Sequence, residues 1–302
     1  MHADAFEQMF ARSFDVDSFA PDYRGYRWPR ALPDETPKQT RRRLRKSEAT
    51  IAFVESIVAT NADNMDARAG LAQQGIIPAL QRRFYPTTTL QSLTGTSSVQ
   101  SSSSTTIGSG VDQHMVQFAR ACTLPPRCHR FARWVAEFCR VHNFYPLAAQ
   151  MGIQVGTRWT AADLVCLNNN TGRLVVFELK TGYDRFYTAA CSRQPALSFF
   201  PSVPNTWQAH HLLQLSTMVH ALMRPPYNAP ADAIEGYVLR VNQTHGVCRP
   251  IAVPEWFDAP LVFEMLTLPI SKVRTRWRRF ERERERQERE QDGCTHQTAI
   301  EL

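Results

Sequence analysis

The chain has 302 residues, 43% of them hydrophobic and 10% aromatic, which is enough apolar material for one large domain with extensions. Its formal net charge of +7 suggests an anionic partner, and nucleic acid is the commonest one. The sequence lacks an apolar stretch of the roughly 20 residues that span a bilayer and a signal-peptide layout, so we expect a soluble, intracellular protein without a membrane partner.

Residues 1–90 are predicted to form a helical N-terminal extension. It contains a basic cluster, residues 38–46 with the sequence KQTRRRLRK. Clustered positive charge of this kind suits a solvated face, a nuclear-import signal or a phosphate-contacting patch, and the sequence leaves all three open. After the cluster, Ile51, Val54 and Ile57 recur at helical spacing, and a second helix is predicted over residues 67–84.

Residues 91–109 are rich in serine and threonine and can bury little surface, so a flexible linker or loop is predicted there. A helix is predicted to begin just after Gly110. Met115, Phe118 and Cys122 follow at helical spacing, which leaves His114 at the edge of the apolar face. Another helix is predicted over residues 127–142.

After Pro146 the pattern changes to that of strands. Strands are predicted over residues 147–155, 160–167 and 175–180, a helix over 207–223, and closing strands over 234–241 and 247–253. This order of helices, three strands, helix and strands indicates an α/β core. Residues 271–302 begin with basic and aromatic residues and continue with alternating Arg and Glu, which predicts a charged, exposed helical tail.

The third predicted strand carries an unusual pair, Glu178 and Lys180. Side chains alternate along a strand, so these two share one face while Leu179 packs on the other. A buried face rarely holds a carboxylate and an ammonium unless they are paired or bind something. Together with Asp163 on the preceding strand, they could hold Mg²⁺ through oxygen ligands, and a histidine from a preceding helix would favour Mn²⁺ as well. Such an ion activates water for attack on a phosphodiester, and the lysine stabilises the developing charge.

Four features in order, Gly110-x-x-x-His114, Asp163, Glu178-x-Lys180 and Gln214, resemble the PD-(D/E)XK nucleases of the RecB and lambda-exonuclease type. The resemblance covers about residues 107–250. It implies a restriction-endonuclease-like core over residues 110–270, a mixed central sheet flanked by helices. It also implies that His114, Asp163, Glu178 and the backbone carbonyl of Leu179 bind Mg²⁺ or Mn²⁺. Lys180 would be the catalytic lysine, and Gln214 would orient it or the substrate phosphate.

The chain departs from the pattern of that family at three places. Ala162 replaces the proline of the family's name, and Met218 replaces the tyrosine that usually follows the glutamine by four positions. Many relatives carry a further glutamate near Gln150 or Gln154, which leaves the second metal position open here. Only Cys248 and Cys294 of the seven cysteines follow the glutamine helix, so an iron–sulfur cluster is not expected. The odd cysteine count without a Cys-x-x-Cys pair also argues against a zinc ribbon and a disulfide framework.

The predicted function is therefore a metal-dependent DNA nuclease, with exonuclease action favoured by analogy. A structure-specific endonuclease, RNA as a substrate, a non-catalytic nucleic-acid-binding protein and an assembly protein that uses the Arg/Glu tail remain alternatives. Each site residue also has a structural alternative: a turn cap, an ion pair, a surface histidine or a solvent-facing glutamine. Further nucleic-acid contacts are predicted from interleaved aromatic and basic residues, namely Arg158, Tyr183, Arg185, Tyr187 and Arg193.

Overall fold

The computed structural model describes residues 32, 34–63, 76–84, 102–181, 187–188, 205–241, 248–253 and 259–298. Their helices are α1 (Pro37–Asp63), α2 (Ile77–Phe84), α3 (Ser102–Ala121), α4 (Arg130–Val141), α5 (Trp207–Leu222), α6 (Ala259–Thr267) and α7 (Ile270–Thr298). Their strands are β1 (Phe144–Val155), β2 (Arg158–Asn168), β3 (Arg173–Thr181), β4 (Ile234–Val241) and β5 (Cys248–Ala252).

A five-stranded mixed sheet, in the order β1-β2-β3-β4-β5, forms the centre of the fold. The first three strands are an antiparallel meander. Its turns contain Gly156 and Gly172, whose φ angles of 61° and 71° are readily adopted only by glycine. Helix α5 crosses from β3 to β4, so β4 runs parallel to β3, and β5 pairs antiparallel with β4. The predicted α/β class, with a mixed sheet flanked by helices, is confirmed.

Apolar side chains cover both faces of the sheet. On β3, Val175, Phe177 and Leu179 pack toward α3 and α4, whereas Leu174 and Val176 belong to the cluster on the opposite face. That opposite face is covered by α1, α2, α5 and α6, so the first two helices belong to the same core as the sheet. Side chains alternate along a strand, so Glu178 and Lys180 lie on the same face of β3 as Leu174 and Val176. This is the face that α5 covers.

Several elements extend beyond their predicted limits, and α1, which begins at Pro37, includes the basic cluster that was predicted to precede it. Helix α3 begins at Ser102, so residues 102–109 of the predicted linker are helical. Val111, Met115 and Phe118 are buried along α3, and this packing outweighs the weak helix propensity of serine and threonine. Strand β1 begins at Phe144 and includes Pro146, which an edge strand tolerates at the register shift after it. Residues 64–75 and 85–101 lie outside the described part of the chain.

Helix α7 is polar on nearly every side, as predicted for the charged tail. Val273 is buried, and nearly all other described side chains of α7 are exposed. Ion pairs at i, i+4 spacing join Arg279 to Glu283 at 2.9 Å and Arg286 to Glu290 at 3.5 Å. Among the described residues, no helix is both long and apolar enough to cross a membrane.

Candidate active site

Asp163 lies where β2 and β3 separate. The hydrogen-bonded ladder between these strands ends at the pair Leu164 and Phe177. One residue beyond that pair, the Asp163 carboxylate replaces the neighbouring strand, because its Oδ2 accepts a hydrogen bond from the Leu179 amide at 2.7 Å. The Asp163 carboxylate thus accepts a hydrogen bond that a backbone carbonyl of a neighbouring strand would otherwise accept. This bond fixes the carboxylate beside the last residues of β3.

Glu178 and Lys180 share one face of β3, as predicted, and are in direct contact. Glu178 is only 1% exposed, and its Oε1 accepts a charge-assisted hydrogen bond from Lys180 Nζ. The same ammonium lies 3.8 Å from Asp163 Oδ2. The two carboxylates predicted on neighbouring strands therefore converge on one lysine.

One ammonium does not offset the carboxylates of the buried Glu178 and the half-buried Asp163. Burial raises the pKa of Glu178 to about 8; the charge of Asp163 acts in the same direction and Lys180 opposes it. Burial also raises the pKa of Asp163, against the lowering effect of Lys180 and of the Leu179 amide. In addition, Glu178 Oε2 is buried without a hydrogen-bond partner among the described residues. As far as the described residues go, the site is therefore short of positive charge and of one donor.

A third carboxylate, Asp112 on α3, acts on this site. It is half-buried; burial raises its pKa to about 6, with the charge of Asp163 acting in the same direction and Lys180 opposing it. Gly108 lies one turn earlier on the same side of α3, and a Cβ there would be 3.5 Å from Thr181 Oγ1. This side of α3 therefore lies against the end of β3, next to Lys180.

His114 lies on a different side of α3. It is two residues after Asp112, a rotation of about 200° around a helix, and its charge acts on His129, which precedes α4. Within the described residues, no three His, Cys, Asp or Glu side chains are grouped closely enough to hold a metal ion. In the described part of the chain, His114 therefore does not form such a group with Asp163 and Glu178, whereas the charge of Asp112, on the same helix, acts on both of them.

Gln150 on β1 is in contact with Asp163, where the resemblance leads one to expect a further glutamate. Its Nε2 donates a hydrogen bond to Asp163 Oδ1 at 3.2 Å. Gln150 has a φ of 52°, a left-handed conformation that is strained for a residue with a Cβ. Gln154 instead donates to the Gly156 carbonyl at 3.0 Å. Of the two glutamines, Gln150 is the one at the site.

Helix α5 presents His211 and Gln214 on one side, since they are three residues apart. Helix α5 contacts β3, and the charge of Lys180 adds to burial in lowering the pKa of His211. Gln214 is 7% exposed and its Oε1 has no hydrogen-bond partner among the described residues. Gln214 is therefore buried, and its Oε1 does not accept a hydrogen bond from Lys180 in this structure.

The predicted nucleic-acid contacts have different outcomes. Tyr187 is completely buried; it shares a hydrogen bond with His211 Nδ1 at 3.2 Å, and the guanidinium carbon of Arg240 lies 5.0 Å from its ring centre. Because no face of this ring is open to a base, its prediction as a stacking residue is corrected to a packing role. Arg158 is exposed at the start of β2. Tyr183, Arg185 and Arg193 lie outside the described residues.

Sequence reasoning overlooked Asp112, although it lies inside the quoted Gly110-x-x-x-His114 motif. The available signal was an acid directly after Val111 and three residues before Met115, both of which are buried. An acid next to the apolar side of a helix is placed against the core, where it needs a partner.

The fold and the site together define an α/β protein with an Asp–Glu–Lys cluster at the open end of a mixed sheet. Comparisons with protein-family models, with curated proteins and with solved structures found no match. The chemistry of the site therefore has to be argued from its own geometry. That geometry offers buried carboxylate oxygens for a cation and an ammonium for an anion.

Proposed function

We propose that the protein is a metal-dependent nuclease that hydrolyses phosphodiester bonds in DNA. The observation that carries the proposal is the convergence of Asp163 and Glu178 on Lys180 at the separated ends of β2 and β3. The mixed sheet flanked by helices is compatible with the restriction-endonuclease-like core that the resemblance implies, and that core is part of the proposal. The net charge of +7 suits a polyanionic substrate.

The donor atoms at the site fit a hard divalent cation. Carboxylate oxygens are the ligands that Mg²⁺ and Mn²⁺ prefer, and Glu178 Oε2 is a buried acceptor without a partner among the described residues. Asp163 and Glu178 would hold the ion with the backbone carbonyl of Leu179, while Asp112 adds negative charge nearby. When bound, Mg²⁺ or Mn²⁺ supplies polarisation of the phosphate and a more acidic water.

Lys180 is the residue that would stabilise charge on the substrate. In hydrolysis, a water oxygen bonds to phosphorus and releases a proton to solvent, the bond from phosphorus to the leaving sugar oxygen breaks, and that oxygen takes a proton from solvent. Negative charge spreads over the other phosphate oxygens, and an ammonium held beside them lowers the barrier. The carboxylates already orient Lys180. Gln214 Oε1, which lacks a partner among the described residues, is suited to accept a hydrogen bond from the lysine once a cation engages the carboxylates.

A second candidate function is nucleic-acid binding without catalysis. It is favoured by the finding that the described residues contain no group of three metal-binding side chains. It is also favoured by Gln150, an amide in contact with Asp163 where a further carboxylate would strengthen cation binding. Both functions require nucleic acid as the partner, so binding alone does not distinguish them.

Titration of Mg²⁺ and Mn²⁺ into the full chain, with end-labelled linear duplex and covalently closed circular duplex as substrates, distinguishes the two. We expect degradation of the linear duplex and loss of this activity in Glu178→Gln. Glu235→Gln is the matched control, because Glu235 makes the same type of ion pair, with Arg173 at 3.2 Å, on β4 and on the opposite face of the sheet.

Cleavage of the circular duplex as well would indicate an endonuclease. Binding to duplex without cleavage at any metal concentration, identical in the wild type and in Glu178→Gln, would overturn the nuclease proposal and support the second candidate.

A further inference from the structure

The fold divides the basic cluster of residues 38–46 into two sets. Arg43 is 5% exposed, pairs with Glu35 at 2.6 Å and donates from Nη1 to the Asn169 carbonyl at 2.9 Å. Lys46 lies 3.3 Å from Asp232. These two cations attach α1 to the rest of the fold. The other four are exposed: Lys38, Arg41, Arg42 and Arg45.

These four residues, here named the α1 basic stripe, lie on one side of the helix. Their positions are i, i+3, i+4 and i+7, which brings them together on the side opposite the buried Arg43. The stripe extends over about 10 Å of helix axis. Residues 37–47 contain no acid, and no carboxylate of the described residues forms an ion pair with any of the four. The like charges repel one another, and an anionic partner bound along the stripe would relieve this repulsion.

Helix α1, which carries the stripe, is anchored at the turn between β2 and β3. Thr50 Oγ1 donates to the Gly172 carbonyl at 2.8 Å, and a Cβ on Gly172 would lie only 3.0 Å from the Arg43 carbonyl oxygen. A helix with Arg43 buried presents its cations at fixed spacing and not as an extended peptide. Fixed spacing suits a regular array of phosphates better than recognition of an unfolded import signal.

The α1 basic stripe and the carboxylate cluster of Asp163 and Glu178 are separate, but both lie on the same side of the sheet. Helix α1 packs on the face of the sheet to which Glu178 and Lys180 belong. Arg43 is next to Gly172, and Glu178 follows six residues along β3, which corresponds to about 20 Å. A duplex has one phosphate charge per about 1.7 Å of its axis, so the stripe spans about six of them.

We propose that the α1 basic stripe is a second contact for the same substrate, and that it binds the phosphate backbone of duplex nucleic acid about 20 Å or more from the carboxylate cluster. This inference rests on the proposed function for the identity of the substrate. Backbone contacts of this kind add affinity and position the duplex without reading its sequence.

The experiment measures binding of the full chain to a fluorescent 30-base-pair duplex by anisotropy, in EDTA, from 50 to 200 mM KCl. In Arg41→Ala/Arg42→Ala/Arg45→Ala, the slope of log K against log salt should become shallower by about 2 to 3, at about 0.9 per lost phosphate contact. Over this salt range, wild-type affinity should then fall about 40-fold more than that of the variant.

The matched control is Arg279→Ala/Arg286→Ala/Arg289→Ala, which removes the same charge from the α7 arginines that are paired with glutamates. Its slope should change by less than about 1. Equal slopes for the two triple variants would overturn the inference. It would also be overturned if the α1 triple variant kept the wild-type slope but lost nuclear accumulation in cells or binding to anionic vesicles.

Cleavage by the wild type is measured separately with Mg²⁺ or Mn²⁺. Cleavage without a slope effect would refute the stripe alone, whereas a slope effect without cleavage would refute the nuclease function alone.

Discussion

Replacement of Glu178 by glutamine is expected to make the protein more stable at alkaline pH in the absence of metal. The Glu178 side chain is buried, and burial with the nearby charge of Asp163 raises its pKa from 4.5 to about 8. Between these two pH values, the folded state holds a proton that the unfolded state has released. The free energy of unfolding therefore falls as pH rises through this window.

The expected size follows from 1.36 kcal/mol for each pH unit between the two pKa values. From 4.5 to about 8, the penalty on the wild type grows to roughly 5 kcal/mol, and the neutral amide of Glu178→Gln does not incur it. The difference in unfolding free energy between variant and wild type should thus increase by about 4 kcal/mol from pH 4.5 to 8, because the group is half titrated at each of these pH values, and should reach the full amount above pH 8. Below pH 4.5 the same difference should be constant.

Urea denaturation in EDTA at pH 5, 6, 7 and 8 measures this difference, with Glu235→Gln as the control for general effects of charge. A difference that stays constant with pH, or a wild type that gains stability relative to the variant, would refute the reasoning. Mg²⁺ or Mn²⁺ should stabilise the wild type more at pH 8 than at pH 6, because binding displaces the Glu178 proton. That pH dependence should be absent in the variant.

Three further predictions concern the surroundings of Glu178. Lys180→Gln should lower kcat by about 10²- to 10³-fold while duplex binding in EDTA changes only a few-fold; an equal loss of both would make Lys180 a binding residue. Gln150→Glu places a second carboxylate beside that of Asp163, so Mn²⁺ affinity measured by calorimetry should rise about tenfold. The control Gln154→Glu, on the same strand, should leave this affinity unchanged. Asp112→Asn should weaken Mn²⁺ affinity, because it removes negative charge from the site, and His114→Asn should not. If His114→Asn weakened Mn²⁺ affinity and Asp112→Asn did not, His114 would be the ligand.

Elements whose signal is local were predictable from the sequence. The apolar run before Glu178 and the alternation of strand side chains predicted β3 and the common face of Glu178 and Lys180, which the structure confirms. The strands and the helix around Gln214 begin and end within a few residues of their predicted limits. Their hydrophobic periodicity reflects contacts within each element, so it can be read without knowledge of the rest of the chain.

Contacts between distant parts of the chain were decided only by the tertiary structure. The packing of Val111, Met115 and Phe118 sets the rotation of α3, and this rotation places Asp112 where its charge acts on the carboxylates. Long-range packing also buries Tyr187 and Arg43, two residues that sequence patterns treated as exposed. The sequence by itself determined which groups are available for chemistry. Which of them meet depends on how helices and sheet pack, because that packing sets the side of each element that faces its neighbour.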